Sequence, residues 1–390
     1  MGEVANIPQL RFPEFDQPLL TDILLNLTDV LRCGIAATPK YVDSGITFLS
    51  SQNVTPTGKI LMDKCNFISE DYYKKISKNA KLLKGDILYS RVGARYGNAA
   101  IFPFEGDYGV YVSLTHIRAS QKLDNTFLKF LLNSPIGKTQ AKKGVFQGGG
   151  VPNLNVKVVE KFKINFPSKP EQQKIAAFLT AVDAKIEQLI KKKELLDEYK
   201  KGLMQQIFSQ AIRFKADDGS DFPDWIEKKL GDVSIRGASN ISANQLEDNN
   251  GGYKIYGAAG HLKNIDFYTE EDCYVAIVKD GAGAGRIMLL EAKTSVLGTL
   301  AIIKAKQGND INFLYWLIQT INFRKYVVGS TIPHIYYRDY QAENLRIPSL
   351  SEQTKIANFL SSIDTKIKQV GKQLNESKQF KKALLQQMFV

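Results

Sequence analysis

Apolar residues recur in alternating steps of four and three from Ile175 through Leu179, Val182, Ile186, Leu189, Leu196 and Leu203 to Ile207, with Lys193 and Lys200 as polar steps between them. The same steps taken from Ile356 land on Leu360, Ile363, Ile367, Val370, Leu374, Leu384 and Met388, with Ser377 and Lys381 as the polar exceptions. A period of 3.5 residues held over ten positions predicts a helix carrying a coiled-coil seam. No proline falls inside either stretch, and the only glycines are Gly202 and Gly371. At 1.5 Å per residue each helix is expected to span roughly 60 Å. Two matched seams in one chain most simply bury each other; docking of each helix on its own neighbouring core is the alternative.

The two patterns are copies. Residues 170–209 and 351–390 align without a gap at an offset of 181, with 18 identities in 40 positions, among them Glu171/Glu352, Lys174/Lys355, Phe178/Phe359, Asp183/Asp364 and Phe208/Phe389. At the same offset Pro152 answers Pro333 and Pro167 answers Pro348. Further upstream, with small gaps, "RVGARYG" from Arg91 matches "KDGAGAG" from Lys279, and "FLKFLLNS" from Phe127 matches "FLYWLIQT" from Phe313. "FPEF" at Phe12 before Leu27, Asp29 and Val30 matches "FPDW" at Phe222 before Leu230, Asp232 and Val233. The chain is a tandem duplication, each half a globular segment followed by one long helix. Copies of one unit associate about a two-fold axis, so the helices are expected to pair antiparallel, with the globular segments at opposite ends of a rod that works as a ruler.

Between the helices the pattern shortens. "KGDILYSRVGARYGNAAIFPF" and "EDCYVAIVKDGAGAGRIMLLE" each read as strand, tight glycine turn, strand. "NTFLKFLLNS" and "INFLYWLIQTINFRKYV" read as amphipathic helices, and "EDYYKKISKNAKLLK" as a short helix with a lysine-rich solvated face. The expected fold class is therefore α+β: a duplicated mixed α/β domain at 1–169 and 210–350, each followed by a long helix at 170–209 and 351–390, the helices forming an antiparallel coiled coil with pseudo-two-fold symmetry.

Hydrophobic content of 44% and aromatic content of 10% suit a folded chain rather than a disordered one. The opening "MGEVANIPQL" carries neither a signal-peptide pattern nor a myristoylation motif, and "LLTDILLNLTDVL" is broken by Asp22 and Asp29, so a cytoplasmic protein is expected. The net charge of +12 is unevenly placed: +8 over residues 1–169 and −1 over 210–350. A basic excess predicts a polyanionic partner, plainly for the first segment only. Three cysteines and three histidines, scattered and without a C-x-x-C pair, give no metal site.

Catalytic look-alikes fail on context. Gly281, Gly283 and Gly285 are followed by "RIMLLE", a strand, where a phosphate loop needs a helix N-terminus. "GKT" at Gly137 lacks the upstream glycine of a P-loop, holding Leu132 there. Asp224 and Glu227 in "PDWIEKK" are too close for a nuclease site, and none of the 13 prolines is adjacent to another, so the Pro-Pro dipeptide of adenine methyltransferases is missing. No catalytic constellation is expected. A self-sufficient DNA methyltransferase or nuclease, or a structural coiled-coil protein, are the rival readings.

With this layout the residues resemble the specificity subunit of type I restriction-modification systems. The resemblance is carried by "LRFPEF" at Leu10, "DFPDWIEKKLGDV" at Asp221, "GITFLSSQNV" at Gly45, "YKIYGAAG" at Tyr253, the "GDIL" segment at Gly85, and above all by "PEQQKIAAFLTAVDAKI" and "SEQTKIANFLSSIDTKI". It implies two target-recognition domains reading the halves of an asymmetric bipartite DNA site, with the paired conserved helices setting the spacer. It implies two modification subunits bringing S-adenosylmethionine and adenine chemistry, and restriction subunits bringing ATP, Mg and translocation. This chain would hold no cofactor and no metal itself.

Loop-borne side chains able to hydrogen-bond bases or meet phosphate are the expected DNA contacts: Lys40, Tyr41, Ser51, Asn53, Arg91, Arg95, Tyr96, Lys142, Lys143 and Gln147 in the first domain, and Lys254, Tyr256, Lys279, Arg286, His334, Tyr336, Tyr337 and Arg338 in the second. Phe178, Phe208, Phe359 and Phe389 repeat outside the seam, and so face either modification subunits or the adjacent globular domain.

Overall fold

The computed structural model describes residues 7–76, 81–146, 150–247 and 251–390. In chain order the first repeat contains β1 (Thr28–Cys33), β2 (Ile87–Ser90), β3 (Ala99–Ile101), β4 (Leu114–Ala119), α1 (Asn125–Asn133), α2 (Pro135–Gly144) and the long helix α3 (Lys169–Phe208). The second contains β5 (Ser234–Ala238), β6 (Tyr274–Val278), β7 (Ile287–Leu290), β8 (Leu300–Ala305), α4 (Ile311–Ile318) and the long helix α5 (Leu350–Gln387).

The first strand of each strand–glycine–strand segment lies buried in its repeat. β2 and β6 are buried along their whole length, as unbroken apolar runs require, and each pairs antiparallel with the strand after its turn. The turn needs glycine for backbone reasons: Gly93, Gly97, Gly281 and Gly285 all have φ between 79° and 88°, where a Cβ is strained. Gly97 and Gly285 also leave no room, since a Cβ would lie 3.2 Å from Ala141 Cβ and 2.8 Å from Phe323 Cβ respectively. "GKT" at Gly137 lies inside α2, not in a phosphate loop.

Sheet order is the same in both repeats. The four-stranded antiparallel sheets run β1-β4-β2-β3 and β5-β8-β6-β7. Each repeat adds a three-stranded sheet with one antiparallel and one parallel neighbour: Asn66–Ile68, Ile46–Leu49 and Tyr108–Val110 in the first, Gly260–Ile265, Tyr253–Gly257 and Ser295–Val296 in the second. The strands flanking each globular segment close on each other, Leu20–Ile23 on Lys163–Phe166 and Ile226–Lys229 on Asn344–Ile347. "NTFLKFLLNS" folds as the expected helix, whereas "INFLYWLIQTINFRKYV" is helical only over Ile311–Ile318 and then forms a separate 3-10 turn at Phe323–Tyr326; α1 and α4 are each capped by an aspartate, Asp124 and Asp310, whose carboxylate accepts the amide of the third residue onward.

The chain divides into two compact units, Met1–Ile190 with Gln373–Val390, and Lys191–Lys372. Each unit therefore holds one globular segment, the first half of one long helix and the last half of the other. In the first unit, Ile175 shares a core with Met388 and Phe389, and Asp183 Oδ1 meets Lys381 Nζ at 2.5 Å, so α3 and α5 run antiparallel there. In the second, Ile207 shares a core with Ile356 and Lys200 Nζ meets Asp364 Oδ1 at 2.8 Å, which is antiparallel again. The stepped positions are the buried side of both helices: Ile175, Leu179, Leu189 and Ile207 on α3 and Ile356, Leu360, Ile363, Ile367, Val370 and Leu384 on α5 are buried, as is Met388 just past its end, and Val182, Ile186, Leu196, Leu203 and Leu374 are half-buried. Among the described residues no helix is long and apolar enough to cross a membrane.

The repeated "EQ" explains how each helix is seated. Glu171, 1% exposed, takes a two-pronged bond from Arg11 at 2.7 and 2.8 Å, while Glu352, fully buried, takes Arg213 Nη2 at 2.9 Å and Trp225 Nε1 at 3.1 Å. Gln172 accepts the Asp124 amide at 2.8 Å, and Gln353 the Asp310 amide at 2.9 Å. The motif thus clamps the helix both to the segment preceding its domain and to the cap of the domain helix. Lys174 pairs with Glu14 over the Phe12 ring, and Lys355 with Asp217 over Phe222. These contacts shift one equivalence: Arg11-Phe12 corresponds to Arg213-Phe214, because Phe12 packs edge-on against Phe178 and Phe214 against Phe359. "FPDW" lies beyond an insertion that follows this second "RF".

Candidate nucleic-acid interface

In each unit the glycine turn is held against the segment that leads to the closing strand. Gly93 donates its amide to Pro152 O at 3.0 Å and Leu154 to Arg91 O at 2.8 Å; Gly281 donates to Pro333 O at 2.8 Å and Ile335 to Lys279 O at 2.9 Å. Two loops distant in sequence are thereby fixed together, and they carry most of the side chains expected to touch DNA.

In the first unit those side chains separate into two groups. Asn53 is buried, receiving the Ser50 amide at 2.8 Å and donating to Leu61 O at 2.9 Å. Arg91 is also buried, its guanidinium spread over Leu154 O, Val112 O and Asn153 Oδ1 at 2.9, 2.9 and 3.2 Å. Both were expected as DNA contacts; both instead brace the loops, since leaving a polar group unbonded at that depth is costly. Ser51 is half-buried and its amide bonds Ser113 Oγ. Tyr96 is half-buried on the core. Lys40, Tyr41, Arg95, Lys142 and Lys143 are exposed, the lysine pair ending α2 and Arg95 bonded to Gln52 O at 3.0 Å. Gln147 lies outside the described residues.

In the second unit Lys254 and Tyr256 converge on Glu291, at 2.6 Å from the ammonium and 2.9 Å from the phenol. Burial, reinforced by that carboxylate, pushes the Tyr256 hydroxyl up to about 12, so it stays a donor to Glu291 and is 9% exposed. This pair is structural. Arg286 is exposed and reaches Ala258 O at 2.8 Å. The others gather in one place. His334 Nδ1 lies 2.8 Å from Asp280 Oδ1, its ring stacks near Tyr336 at 6.4 Å, and the Arg338 guanidinium sits 5.0 Å over the Tyr336 ring. Lys279, Tyr336, Tyr337 and Arg338 line a cavity of about 310 Å³ with Arg236. Arg236, on β5, was not singled out from the sequence: a lone arginine in "SIRGA" has no pattern, and only the sheet brings it to the loop.

The four repeated phenylalanines pack inward. Phe389 is 5% exposed against Phe127, Phe208 packs between Trp225 and Phe313, and Phe178 and Phe359 meet Phe12 and Phe214. Of the two expectations for these rings, the adjacent globular domain is where they lie.

The profile of the type I restriction modification DNA specificity domain matches this chain twice, over residues 40–197 and 223–378. The chain belongs to that family. It is a type I specificity subunit with two recognition domains in tandem. It is 26% identical over 361 residues to the type I restriction enzyme MjaVIII specificity subunit of Methanocaldococcus jannaschii, a match covering 82% of this chain and 81% of that one. Among solved structures, the type I restriction-modification S subunit from M. genitalium matches with a TM-score of 0.65 at 16% identity, over 98% of this chain and 99% of that one. A chain from work on complex assembly and conformational transition of the type I R-M system matches with a TM-score of 0.55 at 17% identity, covering 96% and 98%. At such identities these two likenesses carry the fold, and the specificity subunit's own loops carry the rest.

Proposed function

We propose that this specificity subunit is a non-catalytic DNA reader whose two recognition domains take the two unlike halves of an asymmetric, bipartite site. The observation that carries this is one frame built twice with different chemistry at the same loop: Arg91 is buried as a brace where Lys279 lines an open basic cavity. Identical loops would read identical half-sites; these cannot. The exposed cations of the first domain and the cavity group of the second supply phosphate and base contacts. Two modification subunits carrying S-adenosylmethionine dock on the conserved helices, restriction subunits with ATP and Mg join them, and the helices set the number of base pairs between half-sites. This chain holds none of those cofactors.

The test is co-expression of the modification subunit with and without this chain, followed by genome-wide mapping of methylated adenine. Methylation at one two-part sequence, present only with this chain, is expected. The purified chain with S-adenosylmethionine and DNA transfers no methyl group; transfer by the chain alone would overturn the reading, as would methylation without sequence preference in the complex.

A further inference from the structure

The second recognition domain has a net charge of −1 over residues 210–350, although DNA affinity rests on neutralised phosphates. Several of its cations are spent on the protein's own carboxylates, as Lys254 on Glu291 and Lys304 on Glu270 show. Two are not. Among the described residues neither a hydrogen bond nor an ion pair holds the side chain of Arg236 or of Lys279. Both line the cavity of about 310 Å³, with Arg338 as its third cation. The three come from separate segments, β5, the residue that follows β6 and the helical turn Tyr337–Tyr340, which the fold, and not sequence proximity, brings together.

The one carboxylate lining this cavity, Asp280, is already engaged by His334 at 2.8 Å. Arg338 keeps only a 3.6 Å approach to Asp339 and is held over Tyr336 at 5.0 Å. Converging cationic donors with few free acceptors match an anionic oxygen cluster better than a base edge, which offers donors and acceptors together. The first domain does not repeat this trio at the corresponding positions. There it places Leu31, the buried Arg91, and Lys157, which is paired with Glu160 at 3.0 Å.

We propose that Arg236, Lys279 and Arg338 form a seat for one backbone phosphate diester of DNA, through which the second recognition domain anchors despite its acidic balance. This rests on the DNA-reading role proposed above. It assigns Arg236 a binding role that has no counterpart at the same position of the first domain.

The experiment measures DNA binding by the full chain in complex with its modification subunits, on the mapped target and on unrelated DNA, across a salt series. R236Q and K279Q should each weaken binding about tenfold, equally on both DNAs, and lower the log–log salt slope by about one. R236K should restore most of the affinity, and K228Q, the same charge change on an exposed strand away from the cavity, should change nothing. A single neutral methylphosphonate, scanned along the second half-site, should reproduce the loss at one position in the wild type and add nothing to R236Q. Unchanged affinity and slope in R236Q and K279Q, or a loss confined to the target sequence, overturns the phosphate seat while leaving the DNA-reading role intact. A wild-type complex that shows no sequence preference overturns the DNA-reading role instead.

Discussion

At the scale of single residues, the most consequential group outside the interface is Asp86, in the "GDIL" segment. It is 2% exposed and accepts from His116 Nε2 at 2.7 Å, from Arg118 Nε and Nη2 at 2.8 and 2.7 Å, and from the Leu83 amide at 2.8 Å. Burial alone would raise its carboxyl, but the hydrogen bonds from Arg118, His116 and the Leu83 amide outweigh burial and bring it down to about 2. A carboxylate with a depressed folded value stabilises above its unfolded value near 4 and loses that contribution as the pH falls toward 2. Asp86 should therefore contribute about 2 kcal/mol at neutral pH that vanishes between about pH 4 and pH 2. D86N should lower stability at pH 7 by about 3 kcal/mol, because it leaves Arg118 and His116 facing a neutral amide. Urea unfolding at a series of pH values should show the wild-type curve falling toward the mutant curve over that window; parallel curves would refute the assignment. None of this was legible in the sequence, where Asp86, Asn53 and Arg91 look like any polar residue near a turn. What makes Asp86 an anchor and Arg91 a brace is the burial of β2, and burial belongs to the assembled sheet.

At the scale of elements, the seam was legible because periodicity is local: ten positions at a period of 3.5 residues fix which side of a helix is apolar before any partner is known. The partners of its polar steps were not. Lys200 and Lys381 occupy the same place in the two copies, as do Asp183 and Asp364. The structure joins them crosswise, Lys381 to Asp183 in one unit and Lys200 to Asp364 in the other. Each lysine also lies near a domain aromatic, Phe130 at 5.7 Å and Trp316 at 5.6 Å. A polar pair in an apolar seam penalises a shifted alignment by leaving a charge unpaired, so these pairs fix register as much as they stabilise. K200D alone should destabilise the second unit by about 2 kcal/mol, and K200D with D364K should recover about 1 kcal/mol of it. A thermal-unfolding double-mutant cycle with no coupling would show that the pair does not set register.

At the scale of the whole molecule, the duplication extends to the chain's beginning. The Leu10 amide bonds Gln387 O at 3.0 Å, and the Ile212 amide bonds Gln206 O at 3.2 Å; Gln206 and Gln387 are the same position in the two copies. Arg11 then clamps Glu171 as Arg213 clamps Glu352. The segment that opens the chain thus meets the end of α5 as the internal connector meets the end of α3. The sequence showed the repeated helix but not this junction, since the shared "RF" is two residues long and is followed by an insertion in the second copy. The junction predicts that the chain can be reopened. Ser209, Gln210, Ala211 and Ile212 correspond to Val390, Pro8, Gln9 and Leu10, so Val390 can be joined directly to residue 8. Gln210 has φ 63°, a left-handed helix stop that proline cannot adopt, so the joined form needs Pro8→Gly. Opening the chain between Gln210 and Ala211 removes that strained residue from the connector. The permuted chain should fold, unfold within a few degrees of the parent, and direct adenine methylation to the same sequence. An insoluble permutant, or one unfolding far below the parent, would mean that the Leu10–Gln387 bond is incidental and that the two junctions are not equivalent.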